Sequence, residues 1–393
     1  MRQFIGLALV LALCSLPAEA RTPFVIGDLS SGPHDGITDV AGVRVAHVTK
    51  REGSDVRTGA TGIVPNADIW NDRVAAATWD LNGNGELSGA HWVDQSGFLE
   101  VPIVLTDTLD VGRADDGVVS WLIAKHPLIG VREDVPLPVV AECDDQGIND
   151  IQGRHVHAED VSAMLDAAQP GDFPRGNVGA GTGMRAFGFA AGIGSASRVL
   201  PASLGGYTVG VLVNANTGAR SELRIDGVAV GKHFAHELLP VYPLRAGYAP
   251  THGRAADGSI IIIIATDAPL DHNRLRDLAK RGGMGLARTG ATSHVSSGDL
   301  LLAFSTTHRY PRAGGIVGPP LESDEDRIDA LFGAVVEATE SAIDDALFSA
   351  HTVSGRNGVT YYNLPRAGVE PLLRPGTRAT RSSGAAAGAS AGR

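Results

Sequence analysis

The sequence predicts a mixed α/β protein, and three observations carry that. Short β-branched, apolar runs alternate with glycine turns, helix-period stretches stand between them, and no run after the N-terminus reaches membrane-spanning length. The chain has 393 residues, 43% of them hydrophobic, with 50 glycines and 21 prolines. That length can bury a large core, as one big domain or two. Aromatics make up only 5%, so the core must be aliphatic and alanine-rich.

The elements follow in chain order. Met1–Ala20 reads as a signal peptide, with Arg2 as the positive end, Phe4 to Cys14 as the apolar run and Ala18-Glu19-Ala20 as the cleavage site. Leu13 is too large for a lipoprotein signal before Cys14. The expected mature chain starts near Arg21 and is exported, to the periplasm or outside, with no membrane anchor. It keeps one cysteine, Cys143, so no intrachain disulfide can form. Net charge is −11 with both signs interspersed, which excludes a basic nucleic-acid stripe and favours solubility.

Strands are expected at Gly42–Val48, Val101–Thr106 and Leu137–Ala141, and a helix at Gly117–Lys125. Trp79–Gly89 and Gly176–Met184 are glycine-dense loops that fit neither a dinucleotide fingerprint nor a Walker loop. They read as tight turns where backbones approach closely. Arg245–Gly258 has no period and reads as a surface loop. Five consecutive isoleucines, Ile260–Ile264, then form a strand buried on both faces. Asp271–Ala287 has helical spacing, weakened or bent at Gly282-Gly283. Gly298–Phe304 is a second buried strand. Ser323 can cap a helix whose stripe is Ile328, Leu331, Phe332, Val335, Val336, Ile343 and Leu347. Residues 375–393 are low-complexity.

Chemistry is expected where Ser259 to Thr306 forms strand, helix and strand. A parallel pairing starts both strands at one end of the sheet, about 4.8 Å apart. Ser259 would then meet Ser297 and Asp299. No G-x-S-x-G elbow surrounds Ser259 and no histidine is near it in sequence, so an ordinary serine would lack a base. A cut between Gly258 and Ser259 would supply one, because the freed α-amine, with a pKa of about 7.7–8.0, can act as general base. The isoleucines would anchor that terminus. The plainer alternatives stay open: Ser259 as a strand-start serine, Asn216 as a turn residue, Ser297 as a turn hydroxyl and Asp299 as a strand-edge charge. His155-x-His157 suggests a metal pair without a third ligand. Cys143 reads as a buried small residue. Glu142 and Asp144 suit a substrate ammonium group or a solvated loop.

Seven blocks in order resemble one family: GITDVAGVRVAHVT, NGNGELSG, PIVLTDTLDVG, GNVGAGTGM, VLVNANTG, DGSIIIIIATDAPL and ARTGATSHVSSGDLLLAFST. The chain is similar over nearly its whole mature length to the N-terminal-serine aminopeptidases, which include L-aminopeptidase/D-esterase and the β-aminopeptidases. The resemblance implies a four-layer αββα sandwich, laid out like N-terminal-nucleophile hydrolases with different connectivity. It implies self-cleavage into residues 21–258 and 259–374 of one domain. Ser259 would be the nucleophile, Asn216 an oxyanion-hole residue, and Ser297 and Asp299 the groups beside the amine. It implies release of N-terminal residues from short peptides, amides or esters, β-peptides among them, with no cofactor or metal, in a homo-oligomer of processed two-chain units. Two departures bear on substrate: Asp107 stands where LTNT is expected, and Asp144 where some relatives carry tyrosine. The alternatives are an acyltransferase with the same nucleophile, a non-catalytic binding protein, or a metal hydrolase using the histidine pair.

Overall fold

A computed structural model describes Thr22 and residues 24–243, 258–321 and 324–373. The expected signal peptide, the Arg245–Asp257 stretch, Ser323 and the low-complexity tail lie outside the described residues.

Two sheets form the middle of the molecule. Strands β1 (Arg44–Glu52) and β2 (Val56–Val64) pair antiparallel and start the smaller one. The chain crosses to the larger sheet with β3 (Asp72–Gly83), passes helix α1 (Ala90–Ser96), and adds the short β4 (Phe98–Leu99). Then β5 (Ile103–Thr106), helix α2 (Val111–Lys125) and the parallel β6 (Val139–Glu142) complete the smaller sheet, in the order β1-β2-β5-β6. Helix α3 (Ala158–Asp166) lies beside α2 and packs on β1 and β2. A small hairpin of β7 (Arg185–Ala186) and β8 (Phe189–Ala190) follows. Next come β9 (Ile193–Val199), β10 (Thr208–Asn216), the one-turn α4 (Val230–His233), β11 (Ser259–Thr266), α5 (His272–Arg288), β12 (Gly298–Pro311) and α6 (Glu325–Ser349). The larger sheet has the order β4-β3-β12-β11-β10-β9.

The isoleucine strand explains the layering. All of β11 is buried, and its side chains alternate between faces. Ile261 and Ile263 join a core with Ile63, Ile103 and Val139 of the other sheet. Ile260, Ile262 and Ile264 join Leu275, Leu278, Leu331 and Ile343 of α5 and α6 on the opposite face. The result is α2/α3, sheet, sheet, α5/α6: the four-layer αββα arrangement. Among the described residues no helix is long and apolar enough to cross a membrane.

The structure adjusts several boundaries. Trp79–Gly83, expected as loop, continues β3, because it pairs with the start of β12. Helix α5 is not interrupted at Gly282-Gly283. A Cβ at Gly282 would sit 2.6 Å from Leu301, and one at Gly285 2.6 Å from Thr339, so glycine brings α5 close to β12 and α6. The observed cap of α6 is Asp324, whose carboxylate accepts from the Arg327 amide at 3.2 Å. Phe332 and Val336 of the expected stripe are only half-buried; Arg281 lies 3.8 Å over the Phe332 ring.

Candidate active site

Strand register gathers the site at one end of the larger sheet. β11 runs parallel to β12 with Ser259 opposite Gly298, and antiparallel to β10 with Asn216 opposite Ser259. The strand–helix–strand connection through α5 lets both β11 and β12 begin at that end. Ser259, Asn216, Ser297 and Asp299 are all buried. The Gly298 amide donates to Ser259 Oγ at 3.3 Å, and Ser297 Oγ donates to Asp299 Oδ1 at 2.6 Å. The sequence-expected residues therefore lie together at this end of the sheet, with the Gly298 amide as the link to Ser259.

Asn216 ends β10 with its side chain held at both ends. Nδ2 donates to the Asp144 carbonyl at 3.0 Å, and Oδ1 accepts from the Arg185 amide at 3.3 Å. Gly258 runs against the same strand end: a Cβ there would lie 2.1 Å from the Asn216 carbonyl oxygen. Only glycine fits before Ser259 without moving β10.

Burial pushes the Asp299 carboxyl above its ordinary value, and the nearby Ser293 and Ser297 hydroxyls oppose that. Ser293 was not anticipated. It is a non-glycine residue at φ 50°, the left-handed region. Burial also raises Glu142, while Thr108 and the Glu86 amide oppose the shift. One Glu142 oxygen accepts from Glu86 N at 3.1 Å and the other from the Thr108 hydroxyl. Asp144 turns its carboxylate onto the Gln146 amide, 2.7 Å away, and offers the site its backbone carbonyl. Asp107 caps a short turn after β5, accepting from the Leu109 amide at 2.9 Å.

The other candidates resolve locally. The His155 and His157 pair lies on no strand. His155 contacts Asp150 at 3.2 Å and His157 contacts Arg113 at 3.1 Å. Among the described residues no group of three His, Cys, Asp or Glu is placed to hold a metal ion. Cys143 is fully buried, and burial raises its thiol pKa, so it is no thiolate nucleophile.

Such an array suits acyl transfer: a hydroxyl at a strand start, an amide beside it for an oxyanion, and an acid–hydroxyl pair next to where an α-amine would emerge. Comparison with known proteins agrees. The model of peptidase family S58 matches residues 35–361. The chain is 41% identical over 354 residues to a β-peptidyl aminopeptidase of Sphingosinicella xenopeptidilytica, covering 87% of this chain and 88% of that one. Among solved structures, a Burkholderia sp. β-aminopeptidase is 40% identical with a TM-score of 0.77, covering 89% of this chain and 96% of that one. An L-aminopeptidase D-Ala-esterase/amidase of Ochrobactrum anthropi is 32% identical with a TM-score of 0.79 at the same coverage, 89% and 96%. It is described as a prototype of the serine aminopeptidases and a new variant among the Ntn hydrolase fold.

Proposed function

The chain belongs to peptidase family S58 and is an aminopeptidase, and we propose that it cuts itself between Gly258 and Ser259 and works through the Ser259 so freed. In the precursor, Ser259 Oγ adds to the Gly258 carbonyl and gives up its proton, the C–N bond breaks, and the departing Ser259 nitrogen takes that proton to become the free amine. Water then hydrolyses the resulting ester. In turnover, Oγ attacks the first carbonyl of the substrate and the α-amine takes its proton. The amine passes that proton to the departing group, and water releases the acyl residue.

Asn216 gives one N–H to Asp144, which leaves the second for the oxyanion, a donor typically worth about 3 kcal/mol. Ser297 and Asp299 hold the amine. Glu142, with Asp144 at its side, receives the substrate ammonium. The substrates are short peptides, amides or esters. Peptides with an N-terminal β-amino acid are included, because the Sphingosinicella xenopeptidilytica relative at 41% identity and the Burkholderia sp. structure at 40% are named for that activity. The leader-like Met1–Ala20 supports export to the periplasm or medium, and the family likeness supports an oligomer of processed pairs.

The observation that carries this reading is Ser259 at the strand start, with the Gly298 amide at 3.3 Å and the Ser297–Asp299 pair at 2.6 Å beside it. N-terminal sequencing of the smaller band on a denaturing gel should read Ser-Ile-Ile-Ile. Ser259→Ala should remain one chain and hydrolyse nothing. A single intact chain with full activity would sink the reading.

A further inference from the structure

The NGNG stretch has no part in the chemistry above, yet it borders the site. Asn82 faces Asp299 across the β3–β12 pairing, and Gly83 faces Gly298. The register shifts between Asp299 and Leu300, so Asn82 and Gly83 pair with the two residues of β12 that lie between that irregularity and the loop leading into the strand. Its Nδ2 donates to two carbonyls of that loop, His294 O at 2.7 Å and Ser297 O at 2.6 Å. An amide NH2 has two protons, and Asn82 uses one on each. Asn84 adds Nδ2 to Ser296 O at 2.6 Å and its backbone amide to Ser297 O at 3.3 Å.

The loop needs such anchors. Thr292 and Val295 are exposed, Val295 at 89%, so little apolar packing holds it. Yet it delivers the Ser297 hydroxyl to Asp299 and the Gly298 amide to Ser259. Gly298 of β12 lets the stretch sit close: a Cβ there would lie 2.3 Å from the Asn84 carbonyl oxygen. The strap continues to Glu86, whose amide donates to Glu142 at 3.1 Å. One segment of five residues thus pairs with the Asp299 backbone and donates to the Glu142 carboxylate.

We propose that Asn82 is a positioning residue for the reaction: its amide fixes the Ser297 carbonyl, and through it the Ser297–Asp299 pair and the Gly298 amide, against Ser259. The inference rests on the Ser259 reading. Asn84, exposed and with one side-chain bond, has the smaller part.

Asn82→Leu removes both donors at nearly constant shape and adds no charge. It is expected to self-cleave more slowly and, once cleaved, to lose about 10²-fold in kcat, the scale of a misplaced catalytic group. KM for an aminoacyl p-nitroanilide should stay within about twofold, since Glu142 keeps its own partners. The acidic limb of the kcat–pH profile should move by about half a unit or more, because Asp299 loses its fixed distance to the amine. Melting should fall by only a few degrees. Asn82→Ser keeps one donor and should lie between Leu and wild type, and Asn84→Ala should lose less than tenfold. A folded Asn82→Leu chain that cannot cleave itself supports the proposal. Wild-type kcat and pH profile in Asn82→Leu would overturn it. So would a kcat loss that tracks the unfolded fraction in both Asn82 variants, or an equal loss in Asn84→Ala. Ser259→Ala run alongside keeps the two readings apart: activity there would discard the nucleophile, whereas an inactive Ser259→Ala with an unaffected Asn82→Leu would discard only the positioning role.

Discussion

Buried carboxylates stand on two neighbouring sheets, and burial raises the proton affinity of Asp299 on one and of Asp107 and Asp145 on the other. Asp299 begins β12, with the Ser297 hydroxyl at 2.6 Å and the Ser259 strand alongside. Asp107 and Asp145 follow the ends of β5 and β6, with Asp110 three residues after Asp107. They hold local structure: Asp107 accepts from the Leu109 amide at 2.9 Å and the Thr58 hydroxyl at 3.0 Å, Asp110 from the Val156 amide at 2.8 Å, and Asp145 from the Asn149 side-chain amide at 2.9 Å. On the proposed reading, the difference teaches that a shifted carboxyl points to a functional site when a candidate nucleophile shares its surroundings. Asp107 and Asp145 are perturbed as well, yet they have no place in the proposed chemistry.

The largest effect that can break this contrast is expected at Asp299. Asp299→Asn keeps an acceptor for Ser297 but removes the charge beside the proposed amine. It should lower kcat/KM by about 10²–10³-fold, within the range for acid–base groups. Melting temperature should hold or rise, because an acid desolvated by burial is gone. Activity within tenfold of wild type would put Asp299 in the same structural class as Asp107.

The converse holds for Asp107, whose carboxyl is raised from 3.8 to about 7, by burial first and then by Asp110. The folded chain therefore keeps this proton to higher pH than the unfolded chain does. Stability from this group is full below about pH 4, falls as pH rises towards 7, and is level above. Asp107→Asn removes that fall. The variant should gain on the order of 2–4 kcal/mol in urea unfolding at pH 8 and little at pH 4, with kcat/KM within about threefold. Asparagine can still cap the turn through Oδ1. A gain independent of pH would show that Asp107 is already charged in the fold.

The two sets also differ in how far the sequence discloses them. The strand–helix–strand pattern and the isoleucines bring Ser259, Ser297 and Asp299 to one end of a central strand pair, while the roles proposed for them are legible only through the family resemblance. Asn216 is legible through its motif. Asn82, Asn84 and Ser293 are not, since their work is to hold backbone carbonyls more than 200 residues away or to bend a loop, and neither leaves a local period. Asp107, Asp110 and Asp145 look like ordinary loop acids until β5 and β6 are set side by side. Likewise the glycines of α5 read as helix breakers, because their tight packing on Leu301 and Thr339 is visible only in three dimensions.

The smallest expected effect sharpens the contrast from between the two sets. Cys143 lies between Glu142 and Asp144, and its thiol donates weakly to the Asn214 carbonyl at 3.6 Å. Burial, then Glu142 and Asp299, push its pKa up. A thiol so placed is neither ionised nor reachable, so an aromatic disulfide reagent should leave the native enzyme active and titrate Cys143 only on unfolding. Cys143→Ala should keep kcat within about twofold and cost about 1 kcal/mol, the loss of one small buried group. Inactivation of the native enzyme by the reagent, with Cys143→Ala protected, would mean that the segment from Glu142 to Asp145 opens during turnover. The Asp145 group would then move with the site instead of framing it.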